Sequence, residues 1–222
     1  MALDYLTLEP AIPATAAIIW MHGLGASGYD FYTANLPQQL GLEEAIPVRF
    51  IFPHAPMRPV SINNGYVMRA WYDIHGLSRL DREDEQGLRE TQVAIDELIQ
   101  AQIQQGIPSE RIFLAGFSQG GATALYCGLR YPKTLGGILA LSSYLPAAAS
   151  LAEQKNSANQ NIAIFMAHGE HDPVVVPAWG IESRDFLLSL GYHVDWHLYP
   201  MEHELCLEEL QDMKKWLLRC LI

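Results

Sequence analysis

The sequence predicts an α/β domain in three layers, with a mainly parallel sheet covered by helices on both faces. Two observations carry this. Short apolar runs alternate along the chain with longer amphipathic segments, the β-then-α rhythm of parallel strands joined by right-handed crossovers. Five of those runs are also continuously apolar, as expected of strands buried on both faces. Size agrees: the chain has 222 residues, 50 % of them hydrophobic and only 18 % charged, enough for one domain spanning residues 1–222. Such a composition excludes disorder and low complexity.

Residues 1–10 include Asp4 and Glu9 and lack the basic stretch and apolar run of a signal peptide. The first strand is expected at Ala16–Met21, six residues against the roughly 18 a membrane span requires. Stable membrane insertion is therefore not expected, and a cytoplasmic location is. Val48–Phe52 reads as the second strand. The stretch His54–Ser78, rich in Pro, Asn, Gly and aromatics, is long for a connection and reads as a functional loop or flap. Asp81–Glu85 reads as a solvated charged loop.

Gln86–Gln104 places Leu88, Ile95, Leu98, Ile99 and Ile103 mainly on one helical face, and Gly106 and Pro108 end it. Strands follow at Arg111–Ala115, Gly137–Leu141 and Ile162–Ala167, and helices at Ser118–Arg130, Ile181–Leu190 and Leu205–Leu218. Ala147–Asn161 reads as a surface excursion. His193–Tyr199 alternates, with Val194, Trp196 and Leu198 on one side, as a strand near the sheet edge would. His193 and His197 fall on the other side and are expected to face solvent.

Fourteen Lys and Arg against 25 Asp and Glu give a net charge of −11, which repels phosphate backbones and excludes nucleic acid as a partner. Cys127, Cys206 and Cys220 are an odd number without metal-type spacing and suit a reducing compartment.

The most informative stretch is Gly116-Phe117-Ser118-Gln119-Gly120-Gly121-Ala122, directly after one predicted strand and opening a helix. In that context Gly-x-Ser-x-Gly forms a nucleophile elbow, which lifts the Ser118 hydroxyl above the sheet. The glycines are needed because side chains at 116 and 120 would collide with neighbouring elements. A serine hydroxyl needs a base to take its proton, and the base needs a carboxylate to orient it, in the chain order Ser, acid, His. His203 follows the last strand in a proline-containing loop. Asp172 follows the strand Ile162–Ala167 in His168-Gly169-Glu170-His171-Asp172, with Glu170 as the alternative acid. Both loops belong to the carboxyl edge of the sheet, where sites on such folds gather. The His168–Asp172 spacing fits no metal-binding helix, so no metal is expected.

After the first strand, His22-Gly23-Leu24-Gly25-Ala26-Ser27-Gly28 matches the dinucleotide fingerprint formally. No acidic residue ends the second strand to hold a ribose, so a nucleotide cofactor is not expected. A bare turn there instead offers backbone N–H donors to a developing oxyanion, from Leu24 in this loop and from Gln119 after the nucleophile. A non-catalytic binding protein on the same scaffold is the rival from another class.

With HGLGASG at 22–28, FPHAPMRPV at 52–60, AWYDI at 70–74, GIPSERIFLAGFSQGGA at 106–122, LSSYLP at 141–146, HGEHDPVV at 168–175 and His203, the chain resembles the carboxylesterase / acyl-protein thioesterase / lysophospholipase family of small α/β-hydrolases. The resemblance implies the three-layer α/β-hydrolase fold without a large cap domain and a Ser118–Asp172–His203 triad. It implies no cofactor, and hydrolysis of a small ester, thioester or lipid substrate. It places Trp71, Leu77, Tyr144 and Val174 along an acyl-binding groove and is compatible with a homodimer. Arg69 stands where family members commonly have proline, which bears on the shape of the flap.

Overall fold

A computed structural model describes residues 3–42, 45–76 and 83–222. In chain order the elements are β1 (Tyr5–Leu8), β2 (Ala16–Met21), α1 (Gly28–Thr33), α2 (Leu36–Leu40), β3 (Val48–Pro53), β4 (Met57–Val60) and β5 (Tyr66–Arg69). The second half holds α3 (Glu85–Gln104), β6 (Ile112–Phe117), α4 (Gln119–Arg130), β7 (Gly137–Leu141), α5 (Ala148–Gln154), β8 (Ile164–Gly169), α6 (Pro177–Ser189), β9 (Val194–Tyr199) and α7 (Leu207–Leu221). Seven strands form one sheet in the order β1-β3-β2-β6-β7-β8-β9. Only β1 runs antiparallel to its neighbour, β3; every other pairing is parallel. β4 and β5 make a separate antiparallel hairpin.

The continuous apolar runs have the cause the sequence suggested, because successive side chains enter two different cores. Ala17, Ile19 and Met21 of β2 pack with Leu88 and Ile95 of α3 and Leu125 of α4. Their neighbours Ala16, Ile18 and Trp20 pack on the opposite face with Leu40 of α2 and Met213 and Trp216 of α7. Burying each large apolar side chain in this way is worth about 1.5–3 kcal/mol. The sheet is thus the rigid part, and the loops at its carboxyl edge are what it positions.

α3 starts where Asp84 accepts from the Gly87 N–H at 2.9 Å, and the same carboxylate accepts from Asp73 N at 2.8 Å, tying the flap to the helix. The charged run before α3 is therefore not merely solvated: Glu83 accepts from Ala147 N at 2.9 Å. Its residues 81 and 82 lie outside the described residues.

Two other segments differ from expectation. The stretch 147–161 is not a simple surface excursion. It holds α5, with Leu151 fully buried, and a short 3-10 turn with Asn159 fully buried. The Asn159 amide donates to Tyr131 O and Lys133 O and accepts from Leu135 N, so one side chain satisfies three backbone groups of the turn before β7. β9 does lie at the sheet edge, and His193 is exposed. His197 is half-buried instead of facing solvent, since α7 covers that side. Its ring stacks on Phe165 and Tyr199, and Nε2 lies 2.9 Å from Asp195 Oδ1.

Candidate active site

β6 ends at Phe117 and α4 begins at Gln119, so Ser118 alone makes the turn, at φ 57° and ψ −123°. A non-glycine residue there costs about 1–3 kcal/mol and persists only when its surroundings hold it. Ser118 N donates to Leu141 O of β7 at 2.8 Å, and Ser118 O accepts from Ala122 N at 3.1 Å. Both glycines of the elbow are close approaches: a Cβ at 116 would stand 2.3 Å from Gly120 C, and one at 120 only 2.1 Å from Met21 O. The serine therefore stands at the amino end of α4, where the helix dipole favours negative charge.

Asp172 is 3 % exposed, and both its oxygens are engaged. Oδ1 accepts from Val174 N at 2.8 Å and Val175 N at 2.9 Å; Oδ2 lies 2.6 Å from His203 Nδ1. A carboxylate at that distance makes Nδ1 the protonated nitrogen and leaves Nε2 as the free base. The His203 ring packs against Phe117, the residue before the serine, with centroids 4.6 Å apart. Glu170, the alternative acid, is exposed, and its amide donates to Tyr199 O.

The acid and histidine loops are stitched together through main chain. Glu170 N donates to Tyr199 O at 2.8 Å and His171 N to Met201 O at 3.1 Å. Gly169 makes the approach close enough, since a Cβ there would sit 2.1 Å from Glu202 O. Behind Asp172, His168 donates from Nε2 to Val175 O at 2.7 Å, and the same nitrogen is 3.5 Å from Asp172 Oδ2. Burial lowers the His168 pKa, which keeps this imidazole neutral.

Leu24 lies in the turn after β2. His22, fully buried, shapes that turn: its Nε2 accepts from Ala55 N at 3.0 Å, so Nδ1 carries the proton and donates to Gly23 O at 2.7 Å. Desolvation brings its pKa down to about 4. Gly25 N donates to Arg69 O at 2.8 Å, and the Arg69 guanidinium donates to Ala55 O at 2.8 Å. Arg69 thus braces the flap against this turn through both its backbone and its side chain. Among the described residues, neither the Leu24 nor the Gln119 amide has a hydrogen-bond partner. For Gln119 this follows from its place as the first residue of α4. Its side chain is used elsewhere, with Oε1 accepting from Trp71 N at 2.9 Å and Nε2 donating to Tyr72 O at 2.7 Å.

Ser118, Leu24 and Gln119 open onto a cavity of about 220 Å³. Its walls are mostly apolar: Ile62 and Ile74 come from the flap, Val174 from the acid loop, and Tyr144 and Trp179 from the loop after β7 and from α6. Tyr144 and Val174, which the resemblance places along an acyl-binding groove, both line this cavity. Trp71 is a correction: it is fully buried beneath the flap, with its indole N–H donating to His22 O at 2.8 Å, and Tyr72 lines the cavity in its place. Both belong to AWYDI, but sequence offers no way to decide which aromatic of an adjacent pair turns inward. Leu77 lies outside the described residues. Sequence reasoning also missed Ile74, although it ends the AWYDI motif, and Ile62 and Trp179, which no local motif marks.

The family model described as Phospholipase/Carboxylesterase matches residues 5–221. The chain belongs to that family. An acyl-protein thioesterase 1 from Neurospora crassa is 43 % identical over 95 % of this chain and 89 % of its own length. Another, from Cryptococcus neoformans, is 39 % identical over 99 % and 98 %. Among solved structures, Arabidopsis thaliana SOBER1 superposes with a TM-score of 0.87 at 32 % identity, covering 93 % of this chain and 99 % of that one. Zea mays acyl-protein thioesterase 2 gives 0.86 at 28 % identity, covering 99 % of each. As a member of the phospholipase/carboxylesterase family, the protein is a serine hydrolase with the α/β-hydrolase fold. Among the described residues no helix is long and apolar enough to cross a membrane.

Proposed function

We propose that the protein hydrolyses carboxylic esters and thioesters of acyl chains through Ser118, His203 and Asp172. The observation that carries this reading is the 2.6 Å contact from His203 Nδ1 to an Asp172 carboxylate fixed by two backbone amides, beside the strained serine. Ser118 Oγ attacks the acyl carbonyl while His203 Nε2 takes its proton, and Asp172 stabilises the imidazolium. The oxyanion accepts from the Leu24 and Gln119 N–H groups. On collapse of the tetrahedral intermediate, the C–O or C–S bond breaks and Nε2 protonates the departing alcohol or thiol. Water then enters by the same steps, releasing the carboxylic acid and restoring Ser118.

The cavity is lined mainly by carbon, which fits the acyl chain of a substrate. Relatives named acyl-protein thioesterases support acylated protein as the substrate class. The unpaired Cys127, Cys206 and Cys220 support a reducing, cytoplasmic setting. The test is labelling with an alkyl fluorophosphonate, paired with turnover of a p-nitrophenyl ester and a matched thioester. Ser118 should be the modified residue, and Ser118→Ala should lose about 10⁶ in turnover. Near-normal turnover by that variant would refute the assignment.

A further inference from the structure

Asp172 has a second imidazole beside it, and the chemical steps leave that group unused. His168 stands near the end of β8, four residues before Asp172, and is fully buried. Its Nε2 donates to Val175 O at 2.7 Å and lies 3.5 Å from Asp172 Oδ2, the oxygen that meets His203 Nδ1 at 2.6 Å. Val175 N in turn donates to Asp172 Oδ1 at 2.9 Å. His168 therefore holds the carbonyl of the residue whose amide holds the acid, and the three side-chain and backbone groups close into a ring.

The other end of the imidazole has no such partner. Among the described residues nothing hydrogen-bonds to Nδ1, and a Cβ at Gly180 of α6 would stand 2.6 Å from it. The Trp196 ring of β9 lies 6.3 Å from the His168 ring, centroid to centroid. With Nε2 donating to a carbonyl, Nδ1 carries no proton in the neutral ring. Burial lowers the His168 pKa, so the group is a fixed N–H donor and adds no second cation to compete with His203 for Oδ2.

We propose that His168 is a positioning residue for the triad: through Val175 and through its own N–H it holds the Asp172 carboxylate so that Oδ2 meets His203 Nδ1. This deepens the ester and thioester reading and rests on it. Without the His168 donor, the Val175 carbonyl is released, Oδ1 is no longer held in a fixed direction, and the carboxylate turns off the catalytic imidazole.

Two amide substitutions separate a donor from an occupant of space. The amide nitrogen of glutamine lies as many bonds from Cα as imidazole Nε2, so His168→Gln can still donate to Val175 O. That of asparagine lies as many bonds from Cα as Nδ1, so His168→Asn keeps a polar amide but places it short of Val175 O. The experiment measures kcat and KM on p-nitrophenyl butyrate, and the rate of fluorophosphonate labelling at Ser118. The enzymes are the wild type, both His168 variants, Asp172→Asn, and Asp172→Asn combined with His168→Asn. In His168→Asn both kcat and the labelling rate should fall by about 10²-fold, with KM changed by less than about threefold. His168→Gln should restore both rates to within about threefold of wild type. Because His168 acts through the acid, His168→Asn should cost less than about threefold more once Asp172 is already Asn.

Equal losses in the Asn and Gln variants would overturn the assignment, since His168 would then only fill space. An unchanged kcat in His168→Asn would overturn it, and so would a rise in KM alone, because Val175 lines the cavity and His168 would then serve its wall. A full further loss on top of Asp172→Asn would show that His168 does not act through the acid. Should His168→Asn not fold, His168→Leu removes the same donor with an apolar side chain suited to a fully buried place, and the same fall in both rates is expected. Failure of the reading beneath looks different: a wild type that turns over no ester and leaves Ser118 unlabelled would remove both proposals together.

Discussion

Replacing Gly169 by alanine adds one methyl group at the seam between the acid loop and the histidine loop. Its carbon would stand 2.1 Å from Glu202 O and 2.4 Å from Met201 O, against a closest real approach of 3.0 Å. Both obstacles are backbone, so no side-chain rotation relieves the clash, and the loops must part by about 0.9 Å. The Glu170 N to Tyr199 O and His171 N to Met201 O bonds cross the same seam and would stretch with it. Asp172 stands three residues beyond Gly169 and His203 one beyond Glu202, so the 2.6 Å contact between them opens as well. A misplacement of about 1 Å in a catalytic group can cost about 10²-fold, so kcat on a short p-nitrophenyl ester should fall by about that factor. The rate of fluorophosphonate labelling at Ser118 should fall with it, because both need the same base. Thermal unfolding reports whether the variant is still folded. A kcat within about threefold of wild type, a barrier change under 1 kcal/mol, at unchanged melting temperature would show that the seam does not position the histidine.

Asp172→Asn keeps the size of the side chain but presents an amide to His203 Nδ1, which selects the wrong tautomer. Turnover should fall by about 10⁴ with the fold intact by circular dichroism. Gln119→Leu keeps the backbone amide but removes the side chain that holds Trp71 N and Tyr72 O; hydrogen exchange at residues 71 and 72 should quicken and KM should rise, and an unchanged exchange rate would show the flap is held by other contacts. Glu209 on α7 is fully buried without a hydrogen bond to its carboxyl oxygens, and desolvation raises its pKa to about 8. A raised acid binds its proton in the folded state, so its contribution is intact below the unfolded value of 4.5 and is lost as pH rises towards 8. Glu209→Gln should therefore unfold at higher urea than wild type at pH 8, by an amount on the order of a few kcal/mol, with the gap closing towards pH 4.5; a gap that does not depend on pH would refute the assignment.

The strands of the central sheet were legible because burial on two faces leaves an unbroken apolar run, as in Ala16–Met21 and Gly137–Leu141. The edge position of β9 was legible from its alternation. The short elements were not. β1 has four residues, and α1 and α2 have six and five, lengths at which periodicity carries no signal. α5 hid in a composition that reads as loop, and what anchors its surroundings is one asparagine bonded to three backbone groups. Such a role depends on where the chain returns and leaves no mark on spacing. His197 was misjudged for a related reason. Its side of β9 looked polar, but α7 returns over it from the end of the chain.

The candidate site divides the same way. Ser118, with its two glycines, sits in a local pattern whose physics is visible in five residues. Asp172 and His203 follow from chain order and the carboxyl edge. The work of His22, Gln119 and Arg69 in bracing the flap consists of contacts to distant backbone groups, which no local pattern encodes.

That main chain, not side chain, joins the two loops bearing Asp172 and His203 has a consequence for how this protein can be altered. Glu170, His171 and Glu202 present exposed side chains along the seam yet contribute only peptide groups to it. Charge, size or a reporter label can therefore be varied at these three positions, one or two residues along the chain from Asp172 or His203, with the spacing of the pair left to bonds that every non-proline residue supplies.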